Sequence, residues 1–398
     1  MKLSPAAKKA ISIGTVCSTS YLAVYVARNT LGAVSPQMIE AGSYTTESIG
    51  ALSSLFFISY AVGQLINGSI GDRIKAKYMI SLGLCMAGLC VLAFPWLSGI
   101  PFASNLVYGM TGFFLSMIYG PMTKVVAENT EPIYATRCSL GYTFASFFGS
   151  PAAGVLAAFL SWVAVFTASG TLLLIMSLAS FLIFTLFEKR GMIRYGQYQR
   201  PPKSTGSLRI LIQHRIIRFT LISMITGVVR TTVVFWLPTY ISQHLGFPAD
   251  QSAMIFTAAT FVISMTAFVA IFLYERLGRN MDLVIRLAFS SAAVCFLLVW
   301  LIKLPALNLI FMVLAILTCN CASSMLWSRY CPSLRDTGMV SSATGFLDFV
   351  SYMSASISST LFANAVTGIG WGNLILVWCG LMVFGIAVMI PFRKKIAA

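Results

Sequence analysis

Long apolar stretches, separated by short polar segments, follow one another along the whole chain. Of its 398 residues, 58% are hydrophobic and only 10% are charged, whereas a soluble domain has about 25% charged residues. A helix needs about 20 consecutive apolar residues to cross a bilayer. The pattern therefore predicts an all-α membrane protein with twelve transmembrane helices. The predicted spans are 10–40, 46–70, 77–98, 101–127, 135–160, 163–187, 214–243, 249–274, 281–303, 305–330, 337–367 and 371–392.

One long polar segment divides this pattern into two halves. Segment 188–218 contains eight lysines and arginines, two adjacent prolines and a Ser/Thr/Gly cluster. We interpret it as a cytoplasmic linker. It separates a predicted N-terminal bundle, 1–187, from a predicted C-terminal bundle, 219–398, each with six spans.

The two halves repeat each other. Arg28 and Pro36 in the first span correspond to Arg230 and Pro238 in the seventh span, at an offset of 202 residues. Parallel six-helix repeats, related by an axis along the membrane normal, describe the major facilitator fold. The sequence thus predicts two pseudo-symmetric six-helix bundles with a substrate site near the bilayer midplane.

A second pair of repeated positions lies in the loop after the second helix of each half. Asp72 and Arg73 correspond to Glu275 and Arg276, at an offset of 203. The loop GSIGDRIKAK, 68–77, resembles the signature loop of the major facilitator superfamily. We expect these four residues to take part in gating at the cytoplasmic side. The alternative is that they only contribute topological charge.

The basic residues are distributed asymmetrically. The net charge is +16, and 23 of the 27 lysines and arginines lie at loops or span ends on one side. The exceptions are Lys303, on the other side, and three residues inside spans: Arg28, Lys124 and Arg230. This is the positive-inside rule, and it predicts that both termini are cytoplasmic. We therefore expect the excess of basic residues to reflect the orientation of the protein in a lipid bilayer and not the binding of a nucleic acid.

No catalytic or metal-binding motif is recognisable. The nine cysteines lie in or near apolar spans without metal-ligand spacing, and the chain has only two histidines. A phosphate-binding P-loop and an HExxH motif are also absent from the sequence. We expect no enzyme activity, no metal and no cofactor, so transport would depend on a gradient or on exchange.

Two arginines inside apolar spans are the clearest functional signal. Placing a guanidinium near the bilayer centre costs about 2.5–3.5 kcal/mol on insertion scales. Tyr21, Tyr25 and Arg28 are spaced i, i+4, i+7 and share one helical face. We expect Arg28 and Arg230 to bind an anion through their planar guanidinium groups, whose N–H donors form a fork that can contact two oxygens at once. The alternatives are aromatic packing for the tyrosines and a structural ion pair with Asp348 for Arg28.

Other spans contribute polar residues at helical spacing, and these complete the predicted substrate site. Lys124 is also compatible with an ordinary interfacial lysine. The additional candidate residues are Tyr60, Gln64, Lys124, Ser146, Asp348 and Tyr352.

The segments SYLAVYVARNTLGAVSPQM (20–38), YAVGQLINGSIGDR (60–73) and GFLDFVSYMSASISS (345–359) resemble helices 1, 2 and 11 of the organophosphate:phosphate antiporter family. The resemblance implies paired arginines around a phosphorylated substrate and exchange with inorganic phosphate. The chain departs from the glycerol-3-phosphate transporter of that family at two positions. Gln64 stands where that protein has a lysine, and Ser146 stands where it has a histidine.

Three functions are compatible with these features. The first is a functionally monomeric transporter in the cell (inner) membrane that exchanges a small phosphorylated organic anion for phosphate. The second is a proton- or sodium-coupled symporter of an organic carboxylate such as a sugar acid, with Asp348 as the proton-carrying group. The third is a membrane sensor for a sugar phosphate.

Overall fold

The structure is a computed structural model that describes residues 4–71, 74–195, 208–334 and 340–390. These residues form helices and connecting turns without any strand, as predicted. The helices of the first half are α1 Pro5–Glu40, α2 Thr46–Gly71, α3 Ala76–Ala93, α4 Pro101–Leu115, α5 Tyr119–Asn129, α6 Pro132–Phe159 and α7 Trp162–Lys189.

The second half continues after a short helix in the predicted linker. The linker helix is α8 Leu208–Gln213. The helices of the second half are α9 Ile216–Gly227, α10 Val234–Gln243, α11 Ala249–Ser264, α12 Thr266–Arg276, α13 Met281–Leu301, α14 Pro305–Met325, α15 Cys331–Ser333, α16 Val340–Gly368 and α17 Gly370–Met389. Within the described ranges, nine helical stretches are long and apolar enough to cross a membrane.

Several predicted spans are not single α-helices. The fourth span is broken between α4 and α5 at 116–118. Pro121 lies in the first turn of α5 and has no backbone N–H, so it cannot donate a helical hydrogen bond to the preceding turn. The seventh and tenth spans each contain a π-helical segment, Val228–Val233 and Leu326–Tyr330.

The chain packs as two compact units. The N-terminal unit contains Met1–Lys203, Phe235–Phe261 and Ala355–Asn364, and the C-terminal unit contains Ser204–Val234, Val262–Ser354 and Ala365–Ala398. The N-terminal unit therefore includes helix ends from the second half of the sequence. The bundle limits 1–187 and 219–398 with the linker 188–218 remain a sequence prediction.

Hydroxyl groups connect those helix ends to the first half within the N-terminal unit. Ser35 Oγ of α1 lies 2.8 Å from Thr239 Oγ1 of α10, beside Pro36 and Pro238. Between α2 and α16, Ser54 Oγ lies 2.9 Å from Ser356 Oγ. A further pair, Ser53 and Ser359, is also hydrogen-bonded, and the Trp236 indole donates to Ser359. These polar contacts bring α1 against α10 and α2 against α16.

The repeat seen in the sequence is also present in the packing of the helices. A Cβ atom built on Gly149 of α6 would lie 2.3 Å from Tyr25 Cβ of α1. A Cβ atom built on Gly227 of α9 would lie 2.4 Å from Ser351 Oγ of α16. The offset of 202 residues that relates Arg28 to Arg230 also relates Tyr25 to Gly227 and Gly149 to Ser351. Each unit thus has a crossing at this repeated position where only glycine allows the close approach.

Candidate substrate-binding site

Arg28 lies between two aromatic rings of the N-terminal unit. Its guanidinium carbon is 5.4 Å from the ring centroid of Tyr25 and 5.1 Å from that of Tyr60. Tyr25 is one turn before Arg28 on α1, and Tyr60 comes from α2. Ring faces within about 6 Å attract a guanidinium, so they stabilise this cation inside an apolar helix.

A cluster of tyrosines continues from Arg28 along α1. The ring centroid of Tyr21 is 5.0 Å from Tyr25, 5.5 Å from Tyr119 and 6.1 Å from Tyr142. Tyr119 begins α5 and is 41% exposed, whereas Tyr21 is only 7% exposed. Sequence reasoning did not single out Tyr119. The signal that was available is its place on the fourth span, which lines the pathway in the major facilitator architecture.

Arg230 occupies a corresponding aromatic setting in the C-terminal unit. It lies in the π-helical segment Val228–Val233, and its guanidinium carbon is 5.9 Å from the ring centroid of Trp327 and 6.0 Å from that of Tyr352. Trp327 lies in the second π-helical segment. Sequence reasoning missed Trp327. Because π turns are rare and occur often at functional sites, two of them beside one arginine indicate a site.

The Arg230 guanidinium is not saturated with hydrogen bonds. Its Nε and Nη2 atoms are buried and have no hydrogen-bond partner among the described residues. Asp348 Oδ1 is 4.0 Å from Nη2, which allows electrostatic attraction but not a hydrogen bond. Nε and Nη2 form one edge of the planar fork and can donate to two oxygens of the same anion. The geometry is therefore suited to a phosphate or carboxylate group.

The other predicted binding residues are less well defined. Gln64 is half-buried on α2, one turn after Tyr60, and Lys124 is half-buried on α5. Position 146 lies in α6, but the Ser146 side chain is outside the described part of the structure.

The predicted gating residues fall into two groups. Asp72 and Arg73 lie outside the described residues. Glu275 and Arg276 are exposed at the end of α12, and the Arg276 guanidinium carbon is 5.4 Å from the Phe272 ring centroid. Their gating role remains a prediction.

An ion-pair cluster that sequence reasoning did not identify lies near the first of these loops. Glu188, at the end of α7, binds Lys75 through Oε1 at 2.7 Å and Lys77 through Oε2. The hydrogen bond and charge of Glu188 raise the pKa of Lys75. One carboxylate thus joins the start of α3 to the end of α7.

Apolar helices throughout the described part of the chain, with an arginine inside a candidate membrane span of each half, are typical of a membrane transport protein. The chain belongs to the Major Facilitator Superfamily, whose sequence profile matches residues 17–359. This membership confirms the predicted fold and agrees with the absence of an enzyme motif.

Individual relatives match parts of the chain. The membrane sensor protein UhpC of Salmonella typhimurium is 30% identical over 94 residues, which are 24% of this chain and 21% of that protein. The glycerol-3-phosphate transporter of Bacillus subtilis is 23% identical over 260 residues, 58% of this chain and 57% of that protein. The crystal structure of a point mutant of the nucleoside transporter NupG superposes with a TM-score of 0.75 at 14% identity, covering 96% of this chain and 100% of that one. This last similarity concerns the fold alone.

Proposed function

We propose that this protein is a secondary transporter that exchanges a small phosphorylated organic anion for inorganic phosphate across the cell (inner) membrane. The observation that carries the proposal is the buried Nε–Nη2 edge of Arg230, which has no hydrogen-bond partner among the described residues. Arg28 occupies the matching repeat position and also lies against two aromatic rings. The name of one partial match, a glycerol-3-phosphate transporter, agrees with a phosphorylated ligand.

The chemistry of guanidinium explains why exchange is favoured over simple release. A phosphate group has several acceptor oxygens, and each arginine fork can bind two of them. A bound anion compensates the positive charge of Arg230. An empty carrier would have to reorient while the buried Nε and Nη2 donors of Arg230 lack a hydrogen-bond acceptor among the described residues, which is costly. Return with a second anion is therefore faster than return without one.

The hydroxyl contacts of the N-terminal unit support transport by alternating access. The predicted topology places the ends of α1 and α10, and the start of α2, on the side away from the cytoplasm. In the structure these ends are held together by the Ser35–Thr239 and Ser54–Ser356 contacts. Opening of this side during transport would require these hydrogen bonds to break.

Counterflow into proteoliposomes tests the proposal directly. Vesicles containing the purified protein are preloaded with labelled phosphate and then offered phosphate, sugar phosphates or sugar acids. We expect release of label only when an external phosphate or phosphate ester is present. Uptake of a sugar acid that depends on a proton or sodium gradient, with no phosphate counterflow, would instead support the carboxylate symporter.

The sensor function is the second candidate, because the partial match to UhpC concerns a protein named as a sensor. A sensor binds its ligand without significant flux. Thermal stabilisation of the purified protein by a sugar phosphate, together with no counterflow in vesicles, would favour this function over exchange.

A further inference from the structure

The Asp348 carboxylate is an unusual neighbour for an anion-binding arginine. Its Oδ1 atom is 4.0 Å from Arg230 Nη2, beside the edge whose Nε and Nη2 donors have no hydrogen-bond partner among the described residues. The side chains of Asp348 and Arg230 are 26% and 33% exposed, although the Nε and Nη2 atoms of Arg230 are themselves buried. An anion that binds to this edge must therefore approach a second negative group.

Such an approach is unfavourable for a simple phosphate ester. A phosphate monoester carries a charge of about −1.5 to −2 at pH 7. Like charges a few ångströms apart repel strongly in a partly buried site, where the effective dielectric constant is below that of water. A cargo with a positive group between its phosphate and Asp348 avoids this repulsion, because the charges then alternate in sign.

The geometry points to a cargo that carries an ammonium group close to its phosphate, so that Arg230 binds the phosphate and Asp348 binds the ammonium. Asp348 is then a specificity-determining residue, and the cargo class is an amino-bearing phosphate ester. This inference rests on the proposed function and narrows its substrate.

The internal repeat assigns this recognition to one half of the protein. The offset of 202 residues that relates Arg28 to Arg230 also relates Ser146 to Asp348. The arginine is therefore repeated and the carboxylate is not.

Two esters of the same length test the role of Asp348. Proteoliposomes containing the full chain are preloaded with labelled phosphate and offered either 2-aminoethyl phosphate or 2-hydroxyethyl phosphate. We expect the half-saturating concentration of the amino ester for the wild type to be lower than that of the hydroxy ester by about tenfold or more. The reason is that hydrogen bonds between charged groups are stronger than those between neutral groups. Asp348→Asn should remove this preference, mainly by weakening the binding of the amino ester, and Asp348→Glu should retain the preference.

Asp250→Asn is the matched control, because it makes the same chemical change at an exposed position in the first turn of α11. It should leave the preference intact. If the wild type exchanges phosphate but treats both esters alike, or if Asp348→Asn keeps the preference, the inference is overturned and the proposed function stands.

A binding measurement separates the inference from the proposed function. If no phosphate exchange occurs with any ester, the proposed function is overturned. The thermal midpoints of the purified wild type and Asp348→Asn are then compared with each ester added. Greater stabilisation of the wild type by the amino ester, lost in Asp348→Asn, supports the inference, and equal stabilisation by both esters contradicts it.

Discussion

Each of the two arginines inside candidate membrane spans lies against two aromatic rings. Arg28 lies against Tyr25 and Tyr60, and Arg230 lies against Trp327 and Tyr352. Each cation–π contact contributes about 0.5–2 kcal/mol, which offsets part of the roughly 2.5–3.5 kcal/mol cost of placing arginine in the bilayer. A ring face attracts the cation but accepts no hydrogen bond from the N–H donors along the edge of the guanidinium group. These donors remain able to bind an anion.

Replacing Arg28 with lysine tests whether the planar fork matters beyond its charge. Arg28→Lys keeps the positive charge but loses the bidentate edge, so we expect phosphate counterflow to fall at least about tenfold. Arg215→Lys is the control, since Arg215 forms an exposed ion pair with Asp282 at 2.6 Å. Normal counterflow by Arg28→Ala would contradict a role of Arg28 in binding.

The sequence was informative where a residue type conflicts with its surroundings. Arg28, Arg230 and Asp348 stand out because charges are rare in apolar spans. Tyr119 and Trp327 do not stand out, since aromatic residues in membrane helices also serve as interfacial anchors and packing groups. The 4.0 Å separation between Asp348 and Arg230 depends on how the π-helical segment Val228–Val233 packs against α16, which no local pattern specifies.

At the scale of the helix, apolar length predicted where the helices lie but not how they are interrupted. The π-helical segments Val228–Val233 and Leu326–Tyr330 lie in spans that read as continuous helices. Single-residue propensities barely distinguish an α turn from a π turn. The packing of neighbouring helices decides between them.

The close crossing of α9 and α16 should be intolerant of any side chain at Gly227. In Gly227→Ala the new Cβ would lie 2.4 Å from Ser351 Oγ and 2.6 Å from its carbonyl oxygen, so the helices must separate. We expect a destabilisation of about 1–3 kcal/mol and reduced counterflow, because Arg230 and Asp348 would also move apart. The thermal midpoint in detergent and vesicle counterflow measure these effects.

Gly380→Ala on α17 provides the matched control, because no atom of the described residues lies within 4 Å of the added Cβ. It should be neutral or stabilising by up to about 1 kcal/mol, as expected for alanine in a helix. Equal thermal midpoints for the two alanine variants would show that the crossing is not tight.

At the scale of the whole molecule, the fold follows from hydrophobic length, basic loops and an internal repeat. Together these predicted the major facilitator architecture, which the family match confirms. The composition of the compact units was not predictable. Phe235–Phe261 and Ala355–Asn364 belong by sequence to the second half but pack in the N-terminal unit, and no local sequence pattern specifies this.

A reversible cross-link tests whether these helix ends must separate during transport. The hydroxyl oxygens of Ser54 and Ser356 are 2.9 Å apart, close to the roughly 2 Å sulfur–sulfur distance of a disulfide. In the double variant Ser54→Cys, Ser356→Cys we expect an oxidant to reduce counterflow at least about tenfold and a reductant to restore it. Each single variant controls for the nine native cysteines. Full activity of the cross-linked protein, verified by mass spectrometry, would exclude opening at this end.

The position of Trp327 gives the protein an intrinsic optical probe. Its ring centroid is 5.9 Å from the Arg230 guanidinium carbon, and indole emission responds to nearby charge. Binding of a phosphate ester to Arg230 should therefore change the intrinsic fluorescence of the unlabelled protein, and Trp327→Phe should lose that change although six other tryptophans remain of the seven. An unchanged signal in Trp327→Phe would place the responding indole elsewhere. A titration that requires neither vesicles nor radiolabel would then allow many candidate cargoes to be ranked in a single plate.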